Sequence, residues 1–217
     1  MLAYIVIKKP NGRVIKGVIQ MNKYVKMAGV AACATMAMGL TACGAEKAPE
    51  AAAPQQGKGK ALVVYYSASG YTARAAQIIA NETGADLFEV KLANPYTDAD
   101  LNYRDSSSRV CREHDNPELR HMELAQKTPD NWESYTTVFV GYPIWWAIAA
   151  WPLSSFVEQN DFTGKTVIPF ATSYSSGLGE SGELLAKAAG KGNWKRGERF
   201  YSNADESELR AWAKKVF

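Results

Sequence analysis

Cysteine is scarce in this sequence, and its few cysteines are unevenly placed. Of the three in the 217-residue chain, Cys33 and Cys43 lie within the first 43 residues, and Cys111 is the only one in the remainder. That remainder therefore cannot form an internal disulfide bond, and cysteine usage does not indicate a cellular compartment.

Acidic residues are absent from the first 43 positions, which carry six basic side chains. The whole chain has 25 basic and 22 acidic residues, so the part after position 43 has 19 basic residues against 22 acidic ones. A mildly acidic domain has no excess of positive charge to attract a nucleic acid, and we exclude nucleic acid as a partner.

The amino-terminal region also lacks an apolar run long enough to span a bilayer. Residues 27–40 are apolar and small but fall short of the ~20 residues that a membrane helix needs. Lys23 and Lys26 precede this run and residues 40–43 (LTAC) follow it, which is the layout of a secretory signal. The LTAC sequence resembles the lipobox of bacterial lipoproteins.

This resemblance implies that residues 21–42 are a lipoprotein signal peptide and that Cys43 becomes lipidated. Acyl chains contribute ~0.8 kcal/mol per buried methylene, so several of them anchor a protein durably in a membrane. Because no Arg-Arg pair precedes the apolar run, we expect export by the Sec route and localisation at a bacterial cell envelope. A buried apolar helix that happens to contain a cysteine is the alternative.

The segments around the signal have no sequence pattern of a folded domain. We expect Met21 to be the true start and residues 1–20 to be a start-site extension. Residues 44–60 contain no large apolar side chain, so with Cys43 they should form a lipidated, flexible tether over residues 43–60. The folded domain is then predicted to occupy residues 61–217.

Within residues 61–217, apolar runs alternate with segments of helical periodicity. Strands are predicted at residues 61–66, 86–92, 136–141 and 165–171, with a weaker one at 199–202. Helices are predicted at residues 72–83, 151–159, 179–189 and 206–216, with one more near 117–126 in an otherwise polar stretch. This alternation predicts an open parallel sheet with helices on both faces, which binds ligands at the carboxyl ends of its strands.

The loop after the first predicted strand, residues 67–73 (SASGYTA), brings hydroxyl and backbone N–H groups to a helix amino terminus. Such a terminus favours a phosphate group. The loop has neither a Walker ending nor a G-x-G-x-x-G turn, and without a basic residue it suits a monophosphate held by neutral donors. An ordinary capped helix start is the alternative.

Two further loops follow the third and fourth predicted strands, at residues 141–146 (GYPIWW) and 172–179 (TSYSSGLG). Two adjacent tryptophans after Pro143 cannot both enter the core easily, so at least one should offer a flat aromatic face. The alternative is that one or both simply cover the sheet end, which is what we expect of Trp151. Glycines in the later loop allow backbone amides to approach a ligand closely, although a plain flexible loop has the same composition.

The segments VVYYSASGYTA, TVFVGYPIWW and KTVIPFATSYSSGLGESG, in this order and spacing, resemble the flavodoxin family, and most closely its short bacterial branch. The resemblance implies an α/β, flavodoxin-like three-layer sandwich, whose five-stranded parallel sheet has the order 2-1-3-4-5 and binds FMN. The implied phosphate contacts are Ser67, Ser69, Gly70, Tyr71, Thr72 and Ala73. The implied contacts to the isoalloxazine are Tyr142, Pro143, Ile144, Trp145 and Trp146 on one side, and Thr172, Ser173, Tyr174 and Gly177 on the other.

Three functions remain open for such a protein. The first is electron transfer at the cell envelope with a redox partner protein, and the second is an FMN-dependent NAD(P)H or quinone oxidoreductase. The third is a cofactor-free binding lipoprotein, against which the hydroxyl-rich first loop argues. Because residues 142–151 contain no acidic side chain, we expect an apolar rim that suits a quinone-like molecule or a dimer contact.

No catalytic or metal-binding set is evident in the sequence. Cys111 and His114 form a Cys-x-x-His pair near Asp115, His121 and Glu123, but no second matching pair exists, and zinc sites usually require four ligands. We therefore predict a polar surface segment without a metal.

Overall fold

The computed structural model describes residues 2–8, 14–20 and 59–217. The first two ranges form an antiparallel pair of strands, β1 (Leu2–Lys8) and β2 (Val14–Gln20), in a unit separate from that of residues 59–217. The predicted signal peptide and Cys43 lie outside the described residues. In the described ranges, no helix has the length and apolar character needed to cross a membrane.

The larger unit alternates strands and helices along the chain. Its strands are β3 (Lys60–Tyr65), β4 (Asp86–Glu89), β5 (Tyr135–Trp145), β6 (Ile148–Ala149), β7 (Thr166–Ser173), β8 (Asn193–Trp194) and β9 (Glu198–Tyr201). Its helices are α1 (Tyr71–Thr83), α2 (Arg109–Asp115), α3 (Trp151–Glu158), α4 (Ser181–Ala189) and α5 (Glu206–Val216), with 3-10 turns at Pro117–Arg120 and Trp132–Ser134.

The main sheet is parallel and runs in the order β4-β3-β5-β7, with β8 and β9 both paired to the free edge of β7. β8 pairs with the start of β7 and β9 with its end, so the two are pieces of one interrupted edge strand. With that strand counted once, the order is the predicted 2-1-3-4-5. The α/β flavodoxin-like sandwich is confirmed.

Alternating side chains of the central strands enter two separate cores, one on each face of the sheet. In β3, Val64 packs on the face that carries α3, while its neighbour Val63 packs on the face that carries α1 and α5. Val140 and Phe139 of β5 divide in the same way, and all four residues are fully buried. This period-two division is what a strand covered by helices on both sides requires.

The helix predicted near residues 117–126 is wrong. The chain instead forms α2 just before this region, where the Ser108 hydroxyl accepts a hydrogen bond from the Cys111 backbone N–H and so caps the helix. Only the single 3-10 turn Pro117–Arg120 lies in the predicted range, and it is followed by an extended segment. Leu124 of that segment makes an isolated antiparallel bridge with Leu92, beyond the end of β4.

Candidate functional site

A cavity of about 540 Å³ opens at the carboxyl ends of β3, β5 and β7. This is the edge at which open α/β sheets bind ligands. None of the residues that line the cavity carries a formal charge, and five of them are aromatic. The lining residues are Ala68, Ser69, Tyr71, Leu101, Tyr103, Val110, Pro143, Ile144, Trp145, Trp146, Thr172, Ser173, Tyr174, Ser175, Ser176 and Ser202.

The structure brings together most of the residues that the sequence predicted for the cofactor site. Those that line the cavity are Ser69, Tyr71, Pro143, Ile144, Trp145, Trp146, Thr172, Ser173 and Tyr174. The others lie outside its lining and are Ser67, Gly70, Thr72, Ala73, Tyr142 and Gly177. Their contacts with a cofactor stay a prediction.

The first loop has the backbone geometry of an anion cradle. Gly70 has a φ of 86°, in the left-handed region, and its backbone N–H donates to the Ser67 hydroxyl at 3.1 Å. α1 begins at the next residue without a side-chain cap, and the first N–H groups of a helix have no acceptors within it. With the positive end of the helix dipole, these groups fit the oxygens of a phosphate.

Thr72 connects the first loop to the third. Its side chain is buried, and its hydroxyl oxygen lies 2.7 Å from that of Thr172. The Thr72 side chain therefore joins the start of α1 to the end of β7 beneath the cavity. The phosphate contact that the family resemblance implies for Thr72 stays a prediction. Thr172 itself lines the cavity, so this hydrogen bond holds the first and third loops in a fixed relative position.

Two tyrosines make a second connection between the same loops, near the surface. The hydroxyl of Tyr174 donates to that of Tyr71 at 2.7 Å, and the two rings pack edge to face with centroids 5.5 Å apart. The hydrogen bond to Tyr71 raises the pKa of the Tyr174 phenol. Tyr174 is 72% exposed, so the pair leaves an aromatic surface at the cavity rim.

Arg199 of β9 supports the third loop and was not anticipated from the sequence. Its Nε donates to the Ser173 hydroxyl at 2.9 Å and to the backbone carbonyl of Ser176 at 2.8 Å. The Ser173 hydroxyl in turn donates to that same carbonyl. These bonds give a serine- and glycine-rich loop a defined shape, although its composition alone is equally typical of a flexible segment.

The second loop is a tight hairpin between β5 and β6. Trp145 pairs with Ile148, and the two residues between them, Trp146 and Ala147, have φ angles of 44° and 66°. Two positive φ angles define a type I′ turn, which normally contains Asn-Gly. Because this turn has neither residue, its sequence gave no signal for a hairpin. Such non-glycine conformations are strained, and strain of this kind is concentrated at functional sites.

Trp146, which is 41% exposed, stacks on two rings beside the hairpin. Its ring is nearly parallel to that of Trp151, at 5.8 Å between centroids, and to that of His114, at 4.4 Å. Trp151 is itself buried, as expected for a residue that covers the sheet end. The two stacking contacts thus hold the Trp146 ring in place, although the backbone of this residue is strained.

Trp145 forms an aromatic wall of the cavity. Its ring packs edge to face against Tyr66, Tyr96 and Trp151, with centroid separations of 5.8, 5.6 and 4.8 Å. At least one tryptophan of the pair thus contributes aromatic surface to the cavity, as predicted.

Tyr142 lies deeper than the rest of the predicted set. Its ring was expected to flank the isoalloxazine, but it is fully buried in the core, and its hydroxyl lies 3.1 Å from that of Ser181 at the start of α4. Burial raises the pKa of the Tyr142 phenol to about 12. The position of this residue inside β5, before the strand leaves the core, explains the difference.

The polar stretch between β4 and β5, in which the sequence predicted only one helix, supplies part of the site. Leu101, Tyr103 and Val110 line the cavity from this stretch, and Ser202 lines it from the loop after β9. The signal that could have located the stretch is the pair of apolar residues at positions 101 and 110 within an otherwise polar sequence.

Residues 60–216 match the model of the flavodoxin family. A protein from Bacteroides eggerthii, assigned to the flavoproteins, is 39% identical, with coverage of 73% of this chain and 98% of that chain and a TM-score of 0.66. A Bacteroides uniformis protein with the same assignment is 37% identical. The match covers 73% of this chain and 99% of that chain, with a TM-score of 0.67.

A flavoprotein from Lactobacillus acidophilus, solved in complex with FMN, shares the fold. It is 24% identical, with a TM-score of 0.54, and the match covers 71% of this chain and 99% of that one. A comparison with curated proteins gave no match. The family match over most of the chain establishes that this protein belongs to the flavodoxin family.

Proposed function

We propose that this protein is an FMN-binding electron carrier tethered at a bacterial cell envelope. The observation that carries the proposal is the uncharged cavity, lined by aromatic rings and hydroxyl groups, at the carboxyl ends of β3, β5 and β7. Membership of the flavodoxin family supports FMN as the cofactor, and so does the Lactobacillus acidophilus relative of the same fold, which was solved with FMN.

The first loop fits the phosphate end of FMN. The N–H groups of the first turn of α1 would bind the phosphate oxygens, and the helix dipole adds ~0.3–1 kcal/mol for an anion at this position. A side chain at Gly70 would meet no atom within 4 Å, so the loop surface is open at this residue, which supports the approach of a phosphate here. Backbone groups would thus compensate the charge of the phosphate.

The second and third loops fit the isoalloxazine. Trp145 offers aromatic surface from one loop and Tyr174 from the other, and aromatic pairs contribute ~0.5–1.5 kcal/mol beyond their buried area. Arg199 and the Thr72–Thr172 pair hold the third loop in place. Bound FMN would supply one- and two-electron redox chemistry, and these residues would orient its ring and restrict access of water.

The second candidate is an FMN-dependent NAD(P)H or quinone oxidoreductase. Three exposed aromatic residues at the cavity, Tyr103, Trp146 and Tyr174, form a rim that suits a flat, uncharged molecule such as a quinone. The phosphate groups of a nicotinamide dinucleotide would find no charged side chain among the lining residues. The rim therefore favours the quinone side of this alternative.

Steady-state assays of the FMN-loaded protein separate a carrier from an enzyme. A carrier accepts electrons from a chemical reductant and passes them to cytochrome c, but it oxidises NADH or NADPH with a quinone no faster than free FMN does. An oxidoreductase turns over many times and saturates with quinone. Saturable turnover well above the free-FMN rate would replace the carrier by the second candidate.

The location at the envelope rests on the lipobox-like sequence that ends at Cys43. Cells that express the full chain should incorporate labelled palmitate into the protein, which should fractionate with membranes. Cys43→Ser should abolish both the label and the membrane association, whereas Cys33→Ser is the matched control and should change neither. An unlabelled wild-type protein, or equal loss in the two variants, would contradict the lipid anchor.

A further inference from the structure

A buried carboxylate lies behind the aromatic wall of the cavity. Glu113 of α2 is only 5% exposed, and its oxygens accept hydrogen bonds from the Tyr96 hydroxyl at 2.5 Å, Trp151 Nε1 at 2.9 Å and Arg109 Nε at 2.7 Å. The guanidinium of Arg109 also lies over the Tyr96 ring, 4.2 Å from its centroid. Three donors therefore converge on one carboxylate.

Two of these donors connect Glu113 to the cavity without contact between Glu113 and the cavity itself. Tyr96 and Trp151 both pack edge to face against Trp145, which lines the cavity. Neither Glu113 nor Tyr96 is among the lining residues. These two rings therefore connect the hydrogen bonds of Glu113 to the cavity wall.

A carboxylate at this position orients the neighbouring rings in a way that an apolar residue cannot. A buried charge costs free energy even when it is paired, so apolar packing would stabilise this layer at least as well. Apolar packing, however, fixes a ring only by its shape, whereas hydrogen bonds to an indole N–H and a phenol O–H also fix the rotation of each ring. The carboxylate thus determines which edges Tyr96 and Trp151 present to Trp145.

We propose that Glu113 is a positioning residue that sets the orientation of the Trp145 wall, and through it the affinity for the flavin ring. The expected effect on affinity rests on the proposed function, the binding of FMN. The orientation of the rings follows from the geometry of the protein alone, so it has a separate measurement.

The test is Glu113→Gln in the full chain, with FMN affinity measured by fluorescence quenching and ring orientation by near-ultraviolet circular dichroism of the FMN-free protein. We expect the tryptophan bands to change and FMN binding to weaken about tenfold, the lower end of what substitution of the residues that orient metal ligands costs in metal sites. Asn160→Ala is the matched control, because Asn160 is buried and donates to the backbone carbonyls of Lys127 and Phe156. It should lose stability but keep both signals.

A double-mutant cycle distinguishes positioning from general destabilisation. If Glu113 acts through Trp145, Glu113→Gln should have little further effect on FMN affinity in a Trp145→Ala background, because coupled residues are not additive. Should Glu113→Gln fail to fold, Tyr96→Phe is the second variant. It removes the hydroxyl that donates to Glu113 and accepts from Trp151 Nε1, and it should weaken FMN binding in the same direction.

The outcomes separate this inference from the proposed function. Tight FMN binding by the wild type together with unchanged affinity in Glu113→Gln, or additive effects in the cycle, would overturn the role of Glu113 and leave the FMN proposal intact. A wild type that binds no FMN would overturn the proposed function. In that case, changed tryptophan bands in Glu113→Gln would still support the positioning of the rings, and unchanged bands would overturn it.

Discussion

The two ends of the parallel sheet differ in their charged side chains: the amino end buries or pairs them, whereas none lines the cavity at the carboxyl end. At the amino end, the chain's own groups satisfy its charges: buried Lys165 donates to the backbone carbonyls of Trp132 and Tyr135 at 2.9 and 2.7 Å, and Lys60 pairs with Asp86 at 2.8 Å. At the carboxyl end, the cavity lining has no charge, and aromatic surface remains exposed at its rim.

This difference separates residues that stabilise the fold from residues available to a ligand. The amino end uses charge, which is costly to bury, only where the chain supplies partners for it. The carboxyl end holds its loops from behind, through the Thr72–Thr172 pair and the hydrogen bonds of Arg199, and it leaves rings and a helix amino terminus facing the cavity. Substitutions at the two ends should therefore affect different quantities.

The largest effect is expected from Trp145→Ala, which should weaken FMN binding about tenfold to a hundredfold in a fluorescence titration. Removal of an aromatic platform beneath a flat ring typically costs ~1–3 kcal/mol. Trp194→Ala is the control at the amino end, where Trp194 packs against Phe162, and it should lower stability without changing FMN affinity. Unchanged affinity in both Trp145→Ala and Trp146→Ala would show that the aromatic surface at the carboxyl end does not bind the flavin.

Lys165→Met should show the reverse pattern. Two buried carbonyls lose their donor, so the free energy of unfolding in urea should fall by about 1–3 kcal/mol while FMN affinity stays constant. A substantial loss of FMN affinity without loss of stability would show that the two ends are not separate in function.

The same variant has an expected pH dependence. Desolvation lowers the pKa of the Lys165 amine, so the folded state disfavours its protonated form. Its contribution to stability is therefore fully present above the ordinary lysine pKa and decreases as the pH falls through the lowered value. The stability difference between wild type and Lys165→Met should grow as the pH is raised, and a difference that shrinks would contradict this sign.

Thr72→Val should have a smaller effect, on both quantities. It leaves the buried Thr172 hydroxyl without its partner and should cost about 1 kcal/mol of stability, with a modest loss of FMN affinity because two loops lose their connection. The double variant with Thr172→Val should cost little more than either single one. Strictly additive costs would show that the two hydroxyls are not coupled.

The smallest effect is expected from Asp86→Asn at the amino end. Asp86 and Lys60 are each half exposed, and exposed ion pairs contribute little to stability. Hydrogen bonds from Lys60 and Tyr135 lower the pKa of Asp86, so any contribution should disappear as the pH falls through that lowered pKa. A large decrease in melting temperature at neutral pH would show that this pair carries more of the fold than its exposure suggests.

The central sheet and α5 were predictable from the sequence because their signals are local. Apolar runs such as residues 61–66 and the spacing of residues 206–216 reflect burial of each segment by itself. α5 has the predicted bounds, and β3 is displaced from its prediction by one residue. The order of the three loops along the chain likewise placed most of the cavity.

What the sequence missed depends on contacts between distant segments. The Trp146–Ala147 turn has no Asn-Gly signal, and its conformation is supported by stacking on His114, which lies in another element. The burial of Glu113 depends on donors from residues 96, 109 and 151, of which the first and the last lie outside its own helix. The sequence around Glu113 was therefore predicted to be a polar surface segment. Such tertiary contacts override local composition.

The most direct test of FMN binding is a titration of the purified full chain with FMN, monitored by visible absorption and flavin fluorescence. We expect saturable, sub-micromolar binding at one site, with quenched fluorescence and a shifted flavin spectrum, because the ring would lie against Trp145 and Tyr174. Flavin bands and fluorescence that remain those of free FMN at saturating protein would show that the uncharged cavity at the carboxyl end of the sheet does not bind this cofactor.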